Sequence, residues 1–345
     1  MRKRKLGRTG YLVTELGIGT LGFGGDMWRG LEPRVAQRAL YGAIERGVDF
    51  VDTALSYGAG LAEKLVGEVI RDLRARDRVV VATKVPPMDG NWPADGETAL
   101  VRVFHPEHVQ RSVEQSLRNL RAEVLPLAQL HVWHDAWLSS SSWPDVRGRM
   151  QLMIKQGKVL HWGVSINSCD PDSAMAILDE DIIETAQAVY NIFDRSCEDS
   201  FFQRAAERDV GVIARSPLDE GALAGTLHPE QQFPRGDFRA RYFAGERLAQ
   251  VIDRVAALAR LCGDEVVDVP ELALRFVLSQ PAVAVVIPGM RRAEHVHANL
   301  AAAAAGALSN EMLDRLREHA WAKNWYLSAN REQPSATEQG RARAR

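Results

Sequence analysis

The sequence predicts a single (β/α)8 TIM barrel, an α/β fold with an N-terminal β-hairpin and two extra helices. Three observations carry that expectation. Short β-prone runs alternate with amphipathic stretches along most of the chain, the pattern of parallel βαβ units. Eight such runs are present, enough to close a barrel. Several of them finish on an ionisable residue, and an apolar strand has little reason to end that way unless the end faces chemistry. The rival, a doubly wound sheet, calls for Gly-x-Gly-x-x-Gly at a strand-to-helix turn, and Gly22-Phe23-Gly24-Gly25 has the wrong spacing.

In chain order, Lys5 to Val13 reads as a small hairpin with Thr9-Gly10 near its turn. Leu16 to Gly19 is the first barrel strand. A helix from Glu32 to Arg46 stops at Gly47, as a C-terminal glycine allows. The next strands are Val48 to Asp52, Val79 to Lys84, Leu127 to His131 and Leu160 to Ser165. Thr185 to Tyr190, Val210 to Arg215 and Val283 to Ile287 complete the eight. Helices are expected over Ala62 to Arg76, Pro106 to Arg121, Val146 to Gln156, Asp172 to Leu178 and Phe201 to Arg208, with Arg247 to Leu261 and Leu308 to Trp325 as the extra pair. Two irregular insertions, Met88 to Val103 and Leu218 to Gly245, follow the third and seventh strands and so belong on the catalytic face.

The 345 residues are 46% hydrophobic and 26% charged, which fits one globular domain over residues 1–330 and a polar, disordered tail over 331–345. A formal net charge of −2 argues against a nucleic-acid or membrane-surface partner. No apolar run is long enough to span a membrane. The basic start Met1 to Lys5 is followed by Gly7-Arg8-Thr9-Gly10 in place of an apolar signal core. Three scattered cysteines, Cys169, Cys197 and Cys262, suit the reducing cytoplasm.

On a parallel barrel all strand C-termini open onto one face, with neighbouring strands about 4.8 Å apart. Asp52, Lys84 and His131 end three consecutive strands, and Tyr57 lies in the Gly58-marked loop after Asp52. A phenol is a poor acid at neutral pH, and an adjacent ammonium would lower its pKa toward a useful range. Lys84 suits that role, with Asp52 orienting it and His131 directing a carbonyl oxygen. Together the four groups can protonate an oxygen while a hydride reaches carbon. His131 with His134 and Asp135 offers a metal reading instead, but residues three apart on a strand point oppositely, and no metal is expected.

Phe50-Val51-Asp52-Thr53-Ala54-Leu55-Ser56-Tyr57-Gly58, then Ala82-Thr83-Lys84, then a His-ended fourth strand resembles the aldo-keto reductase family. Ser116-Leu117-Arg118-Asn119-Leu120, Gly157 to Ser165, and Ile287-Pro288-Gly289 followed by Asn299 are similar to further family segments. The resemblance runs from Leu6 to Ala304. It implies carbonyl reduction with NADP(H), NAD being the alternative, on a small-molecule aldehyde or ketone, with Asp52, Tyr57, Lys84 and His131 as the catalytic tetrad. It also allows two other readings, a nicotinamide-bound regulatory or scaffold protein and a redox-neutral epimerase.

The same resemblance assigns cofactor contacts. Ser165, Asn167 and Gln187 would hold the nicotinamide carboxamide, although Ser165-Ile166-Asn167 stands where many members have Ser-Asn adjacent. Thr20 and Asp52 would lie near the nicotinamide ribose. Arg215 replaces the aromatic that usually stacks on the ring. Ser216, Pro217, Leu218, Gly221 and Leu223 would form the pyrophosphate loop. Ile287, Gly289, Arg291, His295 and Asn299 would meet the adenosine end, with Arg291 and Arg292 facing a 2′-phosphate. Trp28, Trp92 and Trp133 are expected to line the substrate pocket, with core packing the competing reading for each. Substrate identity and oligomeric state are not encoded in any motif.

Overall fold

The computed structural model describes residues 1–30, 32–90, 92–321 and 323–327. Eight strands among them form one parallel sheet: β1 (Ile18–Gly19), β2 (Phe50–Asp52), β3 (Val80–Val85), β4 (Leu125–Leu130), β5 (Val159–Ser165), β6 (Ile183–Val189), β7 (Gly211–Arg215) and β8 (Val283–Val286). Each strand pairs with its sequence neighbour, so the spatial order is the chain order. Parallel bridges Leu16 to Val286 and Gly19 to Gly289 join the two edges and close the barrel.

The hairpin pairs Lys3–Lys5 with Leu12–Thr14 around a 3-10 turn at Gly7–Thr9. Its Leu6 and Val13 are fully buried in one cluster with Phe50, Leu127, Ile213 and Val285, which seals the end of the barrel away from the strand C-termini. Gly7 has φ +52°, and a Cβ there would collide with the backbone nitrogen of Gly211, so only glycine lets the plug seat.

Helices cover the outside because their apolar residues recur at helical spacing. Pro33–Glu45 buries Ala36, Ala39, Leu40, Ala43 and Ile44 on one face and starts on a proline. Pro106–Leu120 starts beneath His105, whose ring accepts from the Glu107 amide, and stops at Arg121 in the left-handed region.

Three expectations are corrected. Asp172 to Leu178 is two 3-10 turns, Pro171–Ala174 and Ala176–Asp179, because the Asp135 carboxylate accepts from the Ala176 and Ile177 amides at 2.5 and 3.0 Å and pins the chain between them. The last helix is confined to Asn310–Arg315 and a 3-10 turn at Leu316–His319; beyond it the Trp321 amide donates to the Phe193 carbonyl and the chain turns back onto the barrel. Two helices absent from the sequence reading, Val269–Ser279 and Ala293–Ala305, complete the outer ring. The first is buried from Leu272 to Leu278 and the second is nearly all alanine at its end, so neither shows a polar–apolar stripe. The expected tail, residues 331–345, lies outside the described residues. No helix among the described residues is long and apolar enough to cross a membrane.

Candidate active site

Strand alternation builds the site. Phe50, Ala82, Leu127 and Ile213 fill the barrel interior. The residue two places further along each strand points the same way, which puts Asp52, Lys84, Gln129 and Arg215 in a polar layer above that plug. In register, Asp52 lies beside Gly19 and Ala82, and Lys84 beside Gln129. His131 follows β4 directly, with its amide donating to the Val85 carbonyl at 3.0 Å.

Lys84 is the hub. Its ammonium, 1% exposed, donates to Asp52 Oδ2 at 2.6 Å, to the Thr53 carbonyl at 2.8 Å and toward Tyr57 Oη at 3.4 Å. Gln187 Nε2 braces the far oxygen of Asp52 at 2.7 Å. The Tyr57 ring sits edge-on to the His131 ring with centroids 5.8 Å apart, and Ser56 Oγ approaches His131 Nδ1 at 3.5 Å. The structure thus brings together all four residues that the sequence singled out. It adds three that the sequence reading missed: Thr53, Ser56 and Glu63, the last a fully buried carboxylate that accepts from Thr83 Oγ1 at 2.6 Å and Asn119 Nδ2 at 2.7 Å.

The electrostatics correct one expectation. Burial, reinforced by the Asp52 charge, pushes the Tyr57 phenol well above its ordinary value of 10.0, so it is not lowered toward neutrality. Tyr57 therefore holds its proton through the neutral range. An alkoxide has a conjugate acid near the ~15.7 of water, so even a raised phenol can give its proton to one. Burial draws the Lys84 ammonium below 10.5 against the opposing pull of Asp52. Burial, with Lys84 and Arg215 nearby, drives His131 well below 6.5, which leaves a neutral imidazole able to donate from one nitrogen.

Around this layer lie the residues matched to a dinucleotide. Ser165 and Gln187 are buried at the ends of β5 and β6. Both the amide and the hydroxyl of Thr20 donate to the Asp52 carbonyl, at 3.0 and 2.9 Å. Arg215 Nη2 donates to the Ile166 carbonyl and to Ser168 Oγ at 3.0 and 3.1 Å, which fixes its plane. Asn167 turns elsewhere: its Oδ1 accepts from the Ala94 amide at 3.0 Å and its Nδ2 donates to the Ala94 carbonyl at 2.8 Å. The stretch Ser216-Pro217-Leu218 through Gly221 and Leu223 follows β7 with Ser216, Asp219, Glu220 and Gly221 all at positive φ, a tight ribbon in which the Asp219, Gly221 and Leu223 amides donate to the Ser216 and Leu218 carbonyls. Asn191 Nδ2 holds the Ser216 carbonyl at 3.0 Å.

Glu220, mostly buried, accepts from Trp28 Nε1 at 3.2 Å, Ser216 Oγ at 3.1 Å and Tyr326 Oη at 2.6 Å. Asp219 forms a buried pair with Lys323 at 2.8 Å. The C-terminal segment is thereby tied to the loop, a feature without a motif. Ile287 and Gly289 follow β8, and Asn299 is buried in Ala293–Ala305. Arg291 lies across Gly22, where a Cβ would strike its side chain, and its guanidinium is 5.0 Å from the Trp28 ring centre. Arg291 Nη1 is buried with no hydrogen-bond partner among the described residues, and Arg292 and an exposed His295 add positive or ionisable groups beside it.

The tryptophans divide. Trp92 is half-buried and meets the His131 ring edge-on at 4.3 Å, so it reaches the site. Trp28 is held between Arg239 at 4.4 Å and Arg291. Trp133 is a correction: it is fully buried against Trp137 and Trp143, and its indole donates to Asp135 at 3.0 Å, because the chain after His131 dives behind the barrel wall. His134 caps the following 3-10 turn by accepting from the Ala136 amide. Among the described residues no three His, Cys, Asp or Glu side chains converge as a metal set. The Leu218–Gly245 insertion packs on the Trp28 loop: the Phe238 amide donates to the Met27 carbonyl at 2.8 Å, and buried Asp237 accepts from the Arg29 amide at 2.8 Å.

Comparison with known proteins places this geometry in context. The model of the aldo/keto reductase family matches residues 15–320. Aldo-keto reductase YhdN of Bacillus subtilis (strain 168) is 29% identical over 301 residues, covering 85% of this chain and 86% of that protein. The NADH-specific methylglyoxal reductase of Escherichia coli (strain K12) is 27% identical over 310 residues, 88% of this chain and 93% of its own. An aldo/keto reductase of Klebsiella pneumoniae, solved in complex with NADP and acetate, superposes with a TM-score of 0.64 at 26% identity, over 92% of this chain and 95% of that one.

Proposed function

The chain belongs to the aldo/keto reductase family, and on that premise we propose that it is an NADP(H)-dependent oxidoreductase reducing an aldehyde or ketone to an alcohol. The observation that carries this reading is the buried Lys84 ammonium held 2.6 Å from Asp52 and 3.4 Å from the Tyr57 hydroxyl at the strand ends. The nicotinamide cofactor, when bound, would supply hydride to the carbonyl carbon. Tyr57 gives its proton to the oxygen, and the Lys84 charge stabilises the phenolate left behind. Neutral His131 donates a hydrogen bond that orients the carbonyl oxygen. Trp92, edge-on to His131, walls the substrate side. Consumption of NADPH with a panel of aldehydes and ketones tests the assignment. Absence of turnover would favour a regulatory role, and product without net NADPH loss would favour epimerisation.

Ser165 and Gln187 suit the carboxamide, Thr20 and Asp52 the adjoining ribose, and Arg215 the ring face. The Ser216–Leu223 ribbon suits the diphosphate. Ile287, Gly289, Arg291, His295 and Asn299 suit the adenosine end. The fit rests on this chain's own atoms: an arginine pressed into the space left by Gly22, with a buried Nη1 that has no hydrogen-bond partner among the described residues, calls for an anionic oxygen. The similar proteins include one described as NADH-specific and one holding NADP, so the preference turns on that arginine. Arg291→Ala is expected to weaken NADPH binding at least ten-fold and NADH binding less than three-fold, read by nucleotide fluorescence titration. Equal losses for both nucleotides would remove the 2′-phosphate assignment.

The direction of the His131 shift gives a second expectation. Because its folded pKa lies well below 6.5, the ring is already neutral at the pH where a free histidine half-titrates. The profile of kcat/KM for reduction should then show no inflection near 6.5. The alkaline fall should come only as Lys84 loses its proton. An acid limb near 6.5 that disappears in His131→Gln would show a charged imidazole in the working enzyme.

A further inference from the structure

We infer that Asn167 is a positioning residue for the substrate-side loop, clamping the segment that carries Trp92 over His131, and that it does not hold the cofactor's carboxamide. This rests on the proposed carbonyl reduction at the same site. The amide of Asn167 pairs with a single residue in both directions: Oδ1 takes the Ala94 N–H at 3.0 Å and Nδ2 gives to the Ala94 C=O at 2.8 Å. A backbone that offers one donor and one acceptor fixes which end of the amide is oxygen, so its orientation is not ambiguous. Asn167 is 8% exposed and Ala94 4%, so both bonds are shielded from water and costly to lose.

Ala94 lies two residues beyond Trp92, whose ring meets His131 edge-on at 4.3 Å. Further along, the same loop is held by the Trp137 indole donating to the Thr98 carbonyl at 2.9 Å and by Gly96, which sits against the His134 ring closely enough to exclude a Cβ. These two anchors fix the far end of the insertion. Asn167 fixes the end that touches the site. Next to it, Ile166 is apolar and spends its amide on the Gln187 carbonyl at 2.9 Å, so Ser165 and Gln187 are left as the polar groups at that corner. Replacing Asn167 should therefore loosen Trp92, and with it the wall that confines the carbonyl substrate, and spare the nucleotide.

Asn167→Leu removes both bonds while keeping the number and branching of the side-chain heavy atoms. The expected result is at least a ten-fold faster hydrogen exchange at the Ala94 amide, measured on the 92–98 peptide. KM for the carbonyl substrate should rise at least five-fold, and the NADPH dissociation constant should stay within two-fold. Should that variant be insoluble, Asn167→Ala, which only subtracts atoms, is read the same way. Trp92→Ala, with Asn167 intact, should reproduce the rise in KM. A ten-fold loss of NADPH affinity, or unchanged exchange at Ala94, overturns the clamp. If the wild-type protein binds no NADPH, the proposed function falls, while the exchange measurement still judges the contact between Asn167 and Ala94.

Discussion

Tyr57→Phe is expected to lower carbonyl reduction by about 10²–10⁴-fold, the usual worth of a positioned proton donor, while NADPH affinity stays within two-fold. The ring stays, so the packing against His131, with centroids 5.8 Å apart, and the Lys84 ammonium 5.1 Å from the ring centre are both retained. Only the oxygen 3.4 Å from Lys84 is lost. The loss should fall on kcat, because the hydroxyl matters most once negative charge grows on the substrate oxygen. Single-turnover rates with NADPH pre-bound isolate that step from substrate capture and product release. Turnover comparable to wild type would show that another group, with Lys84 and His131 the neighbouring candidates, delivers the proton.

The direction of the Tyr57 shift bears on the protonation state in which that donor would wait for substrate. Sequence spacing placed a cation near the phenol and led to an expected depression of its pKa. Burial and the Asp52 charge outweigh the opposing pull of Arg215, and the phenol titrates above 10.0. In the proposed reaction Lys84 would lower the cost of the phenolate, while burial keeps the resting phenol above 10.0. A resting pKa below the working pH would empty the donor before substrate arrived.

What the sequence disclosed follows the same logic. Strand ends were legible because Asp52, Lys84 and His131 interrupt apolar runs that have no other use for polarity. Helices with a wet face, such as Pro33–Glu45, showed their spacing. Val269–Ser279 did not, since its Leu272-to-Leu278 stretch is buried all round and even Arg275 is 5% exposed, with its charge spent on Glu265, Glu271 and backbone carbonyls. Glu63 was invisible for the opposite reason: a glutamate in the first turn of an amphipathic helix normally faces solvent, and only tertiary packing shows it beneath Thr83. The ties from Lys323 and Tyr326 to Asp219 and Glu220 join residues about a hundred positions apart, and no local pattern encodes them. Trp92 follows β3 and Trp133 follows β4, and the two have equal propensities, yet one meets His131 and the other is core, because loop path and not composition separates them.

Lys84→Met should lose both activity and stability, and the two losses can be separated. Removing the ammonium leaves the Asp52 carboxylate, 2% exposed, with Gln187 as its remaining side-chain partner. An uncompensated buried charge costs about 3–5 kcal/mol, so the thermal midpoint should fall markedly. Glu63 deepens the deficit, since it is a second buried carboxylate whose field Lys84 feels. The double variant Asp52→Asn/Lys84→Met carries no unpaired charge at that position and should recover most of the lost stability. It should recover no reduction, because the phenolate of Tyr57 still has no cation 3.4 Å away. Such a cycle compares two readouts on one pair of residues. Recovery of turnover along with the fold would mean that Lys84 serves the architecture alone, and that the proton reaches the substrate oxygen without its help.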